Sequence, residues 1–172
     1  LDARIAETYA RGSRASSLRT LYDSYIRAIR WACDRIGDRG VVAYVSNGGF
    51  IDSGSADAMR KALVREHSSL YVLNLRGNQR TAGDVSRREG GKVFGSGSRA
   101  GVAVYILVKN PEAKQQGSLF YSDIGDYLSR EQKLQALKQA GSYLGIEWSP
   151  ISPNEDGDWI NQRSDDFQVF GV

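Results

Sequence analysis

Residues 92–110 read KVFGSGSRAGVAVYILVKN. A basic entry and Phe94 lead into a Gly/Ser loop, and the loop leads into an unbroken apolar run from Val102 to Val108. A run of that length, rich in β-branched residues, suits a buried strand and is far short of the roughly 20 residues a membrane helix needs. Asn110-Pro111 stops it. Working upstream, LYVLNL (70–75) is a second strand of the same texture, and VVAYVS (41–46) a third, expected to be buried on both faces. The segment 76–92 between the last two strands has few apolar residues and is expected to be a loop. Those two strands, lacking a crossover helix, are expected to be antiparallel neighbours. FYSDI (120–124) is a candidate short fourth strand.

Helical spacing fills the intervals. Leu18, Leu21, Tyr22, Tyr25, Ile26, Ile29, Ala32, Cys33 and Ile36 recur every three or four residues, with Ser16 or Ser17 available to cap the start and Gly37 to end it. A second helix over about 55–66 carries Ala56, Met59, Ala62 and Leu63 on one side. It links the strands 41–46 and 70–75, which should therefore run parallel. A short helix is expected over 1–10, and 129–140 is amphipathic with Ser129 and Gln132 at capping-box spacing. The order predicts half of a three-layer α/β domain. It divides the chain into a lead-in (1–17), a partial α/β domain (18–126) and a helix with an irregular extension (127–172). That extension, rich in Pro, Asn and Asp, reads as an extended strap over another surface or a linker to a further domain.

The 172 residues contain 41% hydrophobic and 25% charged residues, an ordinary globular mixture. Leu1 falls at the lead-in to a helical pattern, so an excerpt of a longer polypeptide is expected. The single Cys33, on an apolar helix face, excludes an internal disulfide and a Cys-based metal cluster. The single His67 follows a helix without a ligand partner and suits a solvated or helix-terminal role, which leaves Ser–His–Asp chemistry and zinc hydrolysis weakly supported. Gly95-Ser96-Gly97 precedes a strand instead of following one and opening a helix, so it is not a dinucleotide fingerprint, and no Walker sequence occurs. Asn47-Gly48-Gly49 does end a strand, at the carboxyl edge where ligands bind open α/β sheets. Asp23, Asp52 and Asp57 could face such a cleft. Net charge is only +3, but six basic and two acidic residues fall between Arg76 and Arg99. That stretch is either a solvated loop or a surface for a polyanion.

Taken in order, LYDSYIRAI, GVVAYVSNGGFI, a helix, LYVLNL and VFGSGSRAGVAVYILVKN resemble the second half of the gamma-class DNA methyltransferases that modify adenine N6. The insertion RGNQRTAGDVSRREGGK, with GDYLSREQKL and GDWINQR, is further similar to the methylase region of large restriction-like proteins carrying helicase and nuclease parts. The resemblance implies a Rossmann-like methyltransferase sandwich with an antiparallel final strand, S-adenosyl-L-methionine as cofactor in the intact parent, and double-stranded DNA as partner. It assigns Tyr25 to the aromatic wall against the cofactor's adenine and Phe94 to the ring that stacks on the extruded base. Arg76, Arg80, Arg87, Arg88, Lys92 and Arg99 would run along the phosphate backbone. The Asn-Pro-Pro-Tyr motif and the glycine-rich cofactor turn do not occur in the chain, so no catalytic residue is assigned here and the remainder of the polypeptide must complete the site. A non-catalytic DNA-binding module of a helicase–nuclease protein is the alternative. A cytoplasmic location, with no membrane association, is expected.

Overall fold

A computed structural model of the chain describes residues 1–95 and 99–162. Its centre is a mixed five-stranded sheet in the order β1-β3-β2-β4-β5. The strands are β1 (Gly40–Asn47), β2 (Ser69–Asn74), β3 (Val102–Lys109), β4 (Ser118–Asp123) and β5 (Ser149–Ile151). β3 runs antiparallel to both β1 and β2, so these two share one direction, as their helical link requires, with β3 inserted between them. β4 lies parallel to β2, and β5 closes the edge antiparallel to β4. The architecture is an open, Rossmann-like α/β arrangement, the class the resemblance implies.

Strand alternation decides what is covered. On one face Val42, Leu70, Val72, Ala103, Tyr105, Leu107 and Leu119 form the main core. They pack with Ile26, Ile29 and Cys33 of α2 (Ser24–Arg35) and with Met59, Ala62 and Leu63 of α3 (Asp57–Glu66). Ile5, at the end of α1 (Asp2–Ile5), and Tyr9, in the π-helical turn that follows, belong to the same cluster. The periodic pattern over 18–36 splits locally. Arg19–Tyr22 is one 3-10 turn that buries Leu21, Asp23 is extended, and the α-helix begins at Ser24. The cap position is therefore Asp23, not Ser16 or Ser17.

The other face is covered unevenly. Near β2 and β4, Leu73, Leu75 and Val93 form a second cluster with Leu137 of α5 (Arg130–Ala140), Ile146 and Trp148. Tyr71 stacks on Phe120 with ring centroids 4.9 Å apart, and Trp148 meets Tyr71 edge-on at 5.3 Å. Near β1 the face is open: Val41 and Val45 are 58% and 55% exposed. The expectation that 41–46 is buried on both faces is thereby corrected. Among the described residues β1 is an edge strand with helices on one side only, and a continuous apolar run does not report which of its faces is covered.

Two elements were not foreseen. The stretch 76–92 contains α4 (Gly83–Glu89), which buries no residue and therefore has no apolar stripe. β5 arises within the irregular extension, and that extension packs on the body of the sheet. Trp159 is 2% exposed and meets Phe50 edge-on at 5.8 Å. Arg60, fully enclosed in α3, donates to the carbonyls of Phe50 (3.0 Å), Ser53 (2.6 Å) and Gly157 (2.7 Å) and to Asp158 Oδ1 (2.9 Å). Phe167 and Phe170, with the acids Asp165 and Asp166, lie outside the described residues. No helix among the described residues is long and apolar enough to cross a membrane.

Candidate functional site

Both parallel-running strands end in asparagine, Asn47 and Asn74, and a cleft of about 280 Å3 opens beside Asn47. The turn after β1 forms its floor. Asn47 Oδ1 accepts from the Gly49 amide at 2.8 Å, and the Gly48 amide donates to the Gly101 carbonyl at 3.0 Å. A Cβ on Gly48 would sit 3.2 Å from that of Ala103, so glycine lets this turn lie against the entry of β3. The 3-10 turn and the first turn of α2 make one wall, with Leu21, Asp23, Tyr25 and Ile26. Asn78, Arg80, Ala100 and Gly101 make the other. Thr20, Ser53 and Ser55 hydroxyls form a chain at 2.7 and 2.8 Å along the rim. A smaller hollow continues the cleft past Gly49, Asp52 and Asn78 to Asn74, Glu89 and Ile160.

Electrostatics separates this cleft from plain surface. Burial pushes the Tyr25 phenol above its ordinary range; the nearby Asp23 carboxylate adds to this and Arg80 opposes it. Partial desolvation at the floor holds the Asp52 carboxyl above the usual carboxylate range. A larger concavity, about 570 Å3, lies at the opposite end of the sheet beside Arg30, Cys33, Glu66 and Lys109. Its arginines are already paired with carboxylates, and its lysine is held by backbone carbonyls. Arg30 donates to Glu66 Oε1 (3.0 Å) and Asp34 Oδ1 (2.8 Å), and Lys109 Nζ donates to the Cys33 carbonyl at 2.8 Å. Its position is also the amino end of β1 and β2, opposite to where open α/β sheets take ligands.

Among the sequence-derived residues, the cleft brings together Tyr25, Arg80, Asp23 and Asp52. Asp57 is elsewhere: it is buried and accepts from Ser13 Oγ (2.5 Å) and the Arg14 amide (2.9 Å), tying the lead-in to α3. Phe94 is 55% exposed and is not among the residues lining the Tyr25 cleft. Ser96 and Gly97, of the loop that follows it, lie outside the described residues. Arg76 is only partly exposed and bridges Asp123 (2.6 Å) and Asp126 (2.7 Å). Arg87 and Arg88 share Asp84 at 3.2 and 2.9 Å on exposed α4. Arg99 is exposed and donates to the Gln79 carbonyl at 2.6 Å; Lys92 is half-buried. His67 is buried, not solvated; its Nδ1 lies 2.8 Å from the Leu63 carbonyl in the last turn of α3, and burial lowers its pKa. No cluster of His, Cys, Asp or Glu among the described residues could hold a metal ion. Asn78 escaped the sequence reading because a polar loop residue carries no periodic signal. Lys133, also missed, sits one turn before Leu137 on the inner side of α5, and that spacing was the only clue.

No protein-family model and no curated protein matches the chain. Solved structures do. The chain is similar to part of the Type ISP restriction-modification enzyme LlaGI, solved as a nuclease-deletion mutant with a DNA substrate mimic, at 49% identity and a TM-score of 0.92. It is similar to part of LlaBIII, an ATP-dependent Type ISP restriction-modification enzyme bound to DNA, at 42% identity and 0.92, and to part of DrdV in a DNA complex at 38% and 0.87. These matches cover 98%, 97% and 96% of this chain but only 14%, 11% and 16% of the matched chains. The chain is thus homologous to one segment of much larger DNA-bound proteins, two of them restriction-modification enzymes.

Proposed function

We propose that this chain is the distal part of an adenine-N6 DNA methyltransferase domain in a restriction-modification protein, supplying walls of the cofactor and target-base pockets and a DNA-facing loop. The observation that carries the reading is the cleft at the carboxyl edge of β1, walled by the Tyr25 ring and adjoining the basic segment that leads to Phe94. Its residues fit the adenosine part of S-adenosyl-L-methionine: an aromatic wall, carboxylates at Asp23 and Asp52, and rim hydroxyls. Complete small-molecule sites run to roughly 300–1,000 Å3, so a cleft just under that range is in keeping with part of a pocket. The open β1 edge and its exposed valines support completion by further polypeptide.

S-adenosyl-L-methionine would supply the activated methyl group. Tyr25 would orient the nucleoside, and Phe94 would stack on a base taken out of the duplex. The exposed arginines of α4 and Arg99 would contact phosphates, and Arg76, held by two carboxylates, contributes less than its charge suggests. The reading requires an Asn-Pro-Pro-Tyr-type tetrapeptide elsewhere in the polypeptide.

The test is methyl transfer from tritiated S-adenosyl-L-methionine to plasmid DNA by the full-length protein. Tyr25→Ala should raise the cofactor KM by about tenfold, as expected when one aromatic wall is removed. Phe94→Ala should lower methylation more than DNA affinity. Arg87→Ala with Arg88→Ala should reduce the salt slope of DNA binding by roughly 1 for each phosphate no longer neutralised. Absence of cofactor binding, with the arginine effect intact, would instead support a DNA-contacting module without catalysis. That alternative draws on α4, whose exposed arginines are independent of the cleft.

A further inference from the structure

The segment before Phe94 is held on every side. Lys133 of α5 is fully enclosed, and its Nζ donates to the carbonyls of Glu89 (2.7 Å) and Gly91 (2.8 Å). Arg130 Nε, one turn earlier, donates to the Val93 carbonyl at 3.0 Å. Gln79 Nε2 donates to the Gly90 carbonyl at 3.0 Å, and the Gly91 amide donates to the Leu128 carbonyl at 2.9 Å. The two glycines permit this close approach. A Cβ on Gly90 would lie 2.2 Å from Leu128 O, and one on Gly91 2.6 Å from the Arg130 amide nitrogen. Val93 then anchors the segment in the second core cluster at 4% exposure. The next residue, Phe94, emerges at 55% exposure.

Burying an ammonium group is unfavourable, and a leucine at position 133 would fill the core without that penalty. The placement needs a reason, and the carbonyls it holds supply one. A ring that must stack on a ligand loses affinity and rate if its loop has to be ordered at each encounter. Fixing the base of the loop removes that cost. We infer that Lys133 and Arg130 are positioning residues for Phe94: α5 clamps the carbonyls of Glu89, Gly91 and Val93 and so sets where the aromatic ring leaves the body of the domain. The inference rests on the reading of Phe94 as the base-stacking ring, and it adds a function for α5 that the resemblance did not supply.

Two measurements on the full-length protein test it. Lys133→Met keeps the length of the side chain and removes the donors. Hydrogen exchange read by mass spectrometry should then quicken by roughly tenfold over 89–94, as expected for the loss of charge-assisted bonds, while β1 and α3 keep their protection. Unchanged exchange over 89–94 would overturn the clamp, whatever Phe94 does. In the methylation assay Lys133→Met should lower kcat by about 10- to 100-fold with DNA affinity little changed, the scale of a misplaced catalytic group. Combined with Phe94→Ala it should add nothing further, because both changes act through the same ring. Fully additive losses would show Lys133 to be structural only and overturn the positioning role. Should Phe94→Ala leave methylation intact, the stacking role fails separately, and the exchange result still decides whether α5 holds the loop.

Discussion

At the scale of single residues, enclosed charges are the distinctive chemistry of this chain. Arg60 donates to three carbonyls and one carboxylate, and so joins the turn after β1 to the C-terminal extension. Asp158→Ala would remove a carboxylate that the enclosed guanidinium holds. Unfolding free energy from urea titration should fall by about 3–5 kcal/mol, the usual cost of breaking a buried ion pair from one side. His67 gives a pH signature. Its imidazole is held neutral by burial between α3 and Cys33, whose own thiol burial pushes up to about 11. The unfolded chain binds a proton near pH ~6.5 that the folded chain refuses. Stability from this group is therefore complete above that pH and declines as pH falls below it, toward the depressed folded value. His67→Gln should flatten that part of the stability–pH curve, measured by thermal melting between about pH 5 and 7, a window set by the ordinary histidine value.

At the scale of elements, local rules and tertiary context divide the work. The capping box of α5 forms as its spacing foretold, with Ser129 Oγ accepting from the Gln132 amide and Gln132 Oε1 from the Ser129 amide. α4 obeys a different rule. Its only large apolar residue, Val85, is exposed, while Asp84 pairs with Arg87 and Arg88 at helical spacing and the Glu89 carbonyl accepts from Lys133. That charge pattern was visible in the sequence, but a search for apolar periodicity passes over it. The turn between α4 and Val93 depends on glycine. Gly90 has φ +65° and no space for a methyl group beside Leu128. Gly90→Ala should destabilise the region by more than the ~1 kcal/mol of an ordinary left-handed penalty, because backbone must also move. Faster proteolytic nicking between 76 and 95, with the sheet intact, is the expected readout.

At the scale of the whole molecule, the sheet is finished on one side and open on the other. α2 and α3 cover one face throughout, whereas the second face is covered near β2 and β4 and bare at β1. If further polypeptide closes β1, Val41→Ser with Val45→Ser should cost about 1.5–3 kcal/mol per buried valine in the full-length protein and little in this segment alone. Comparing thermal melts of the two forms checks it. Equal effects in both would mean that the face stays in water. The sequence by itself determined β1 to β4, a helix within each of 18–36 and 55–66, the shared direction of β1 and β2, and the cap of α5, because these follow from periodicity, turn residues and chain connectivity. Only the tertiary structure decided that β1 is an edge strand, that β5 and Trp159 belong with the sheet, that Arg76 is occupied by two acids, and that Lys133 and Arg60 turn inward. Those outcomes depend on which distant backbone groups come within hydrogen-bonding reach, and a one-dimensional pattern contains no term for that.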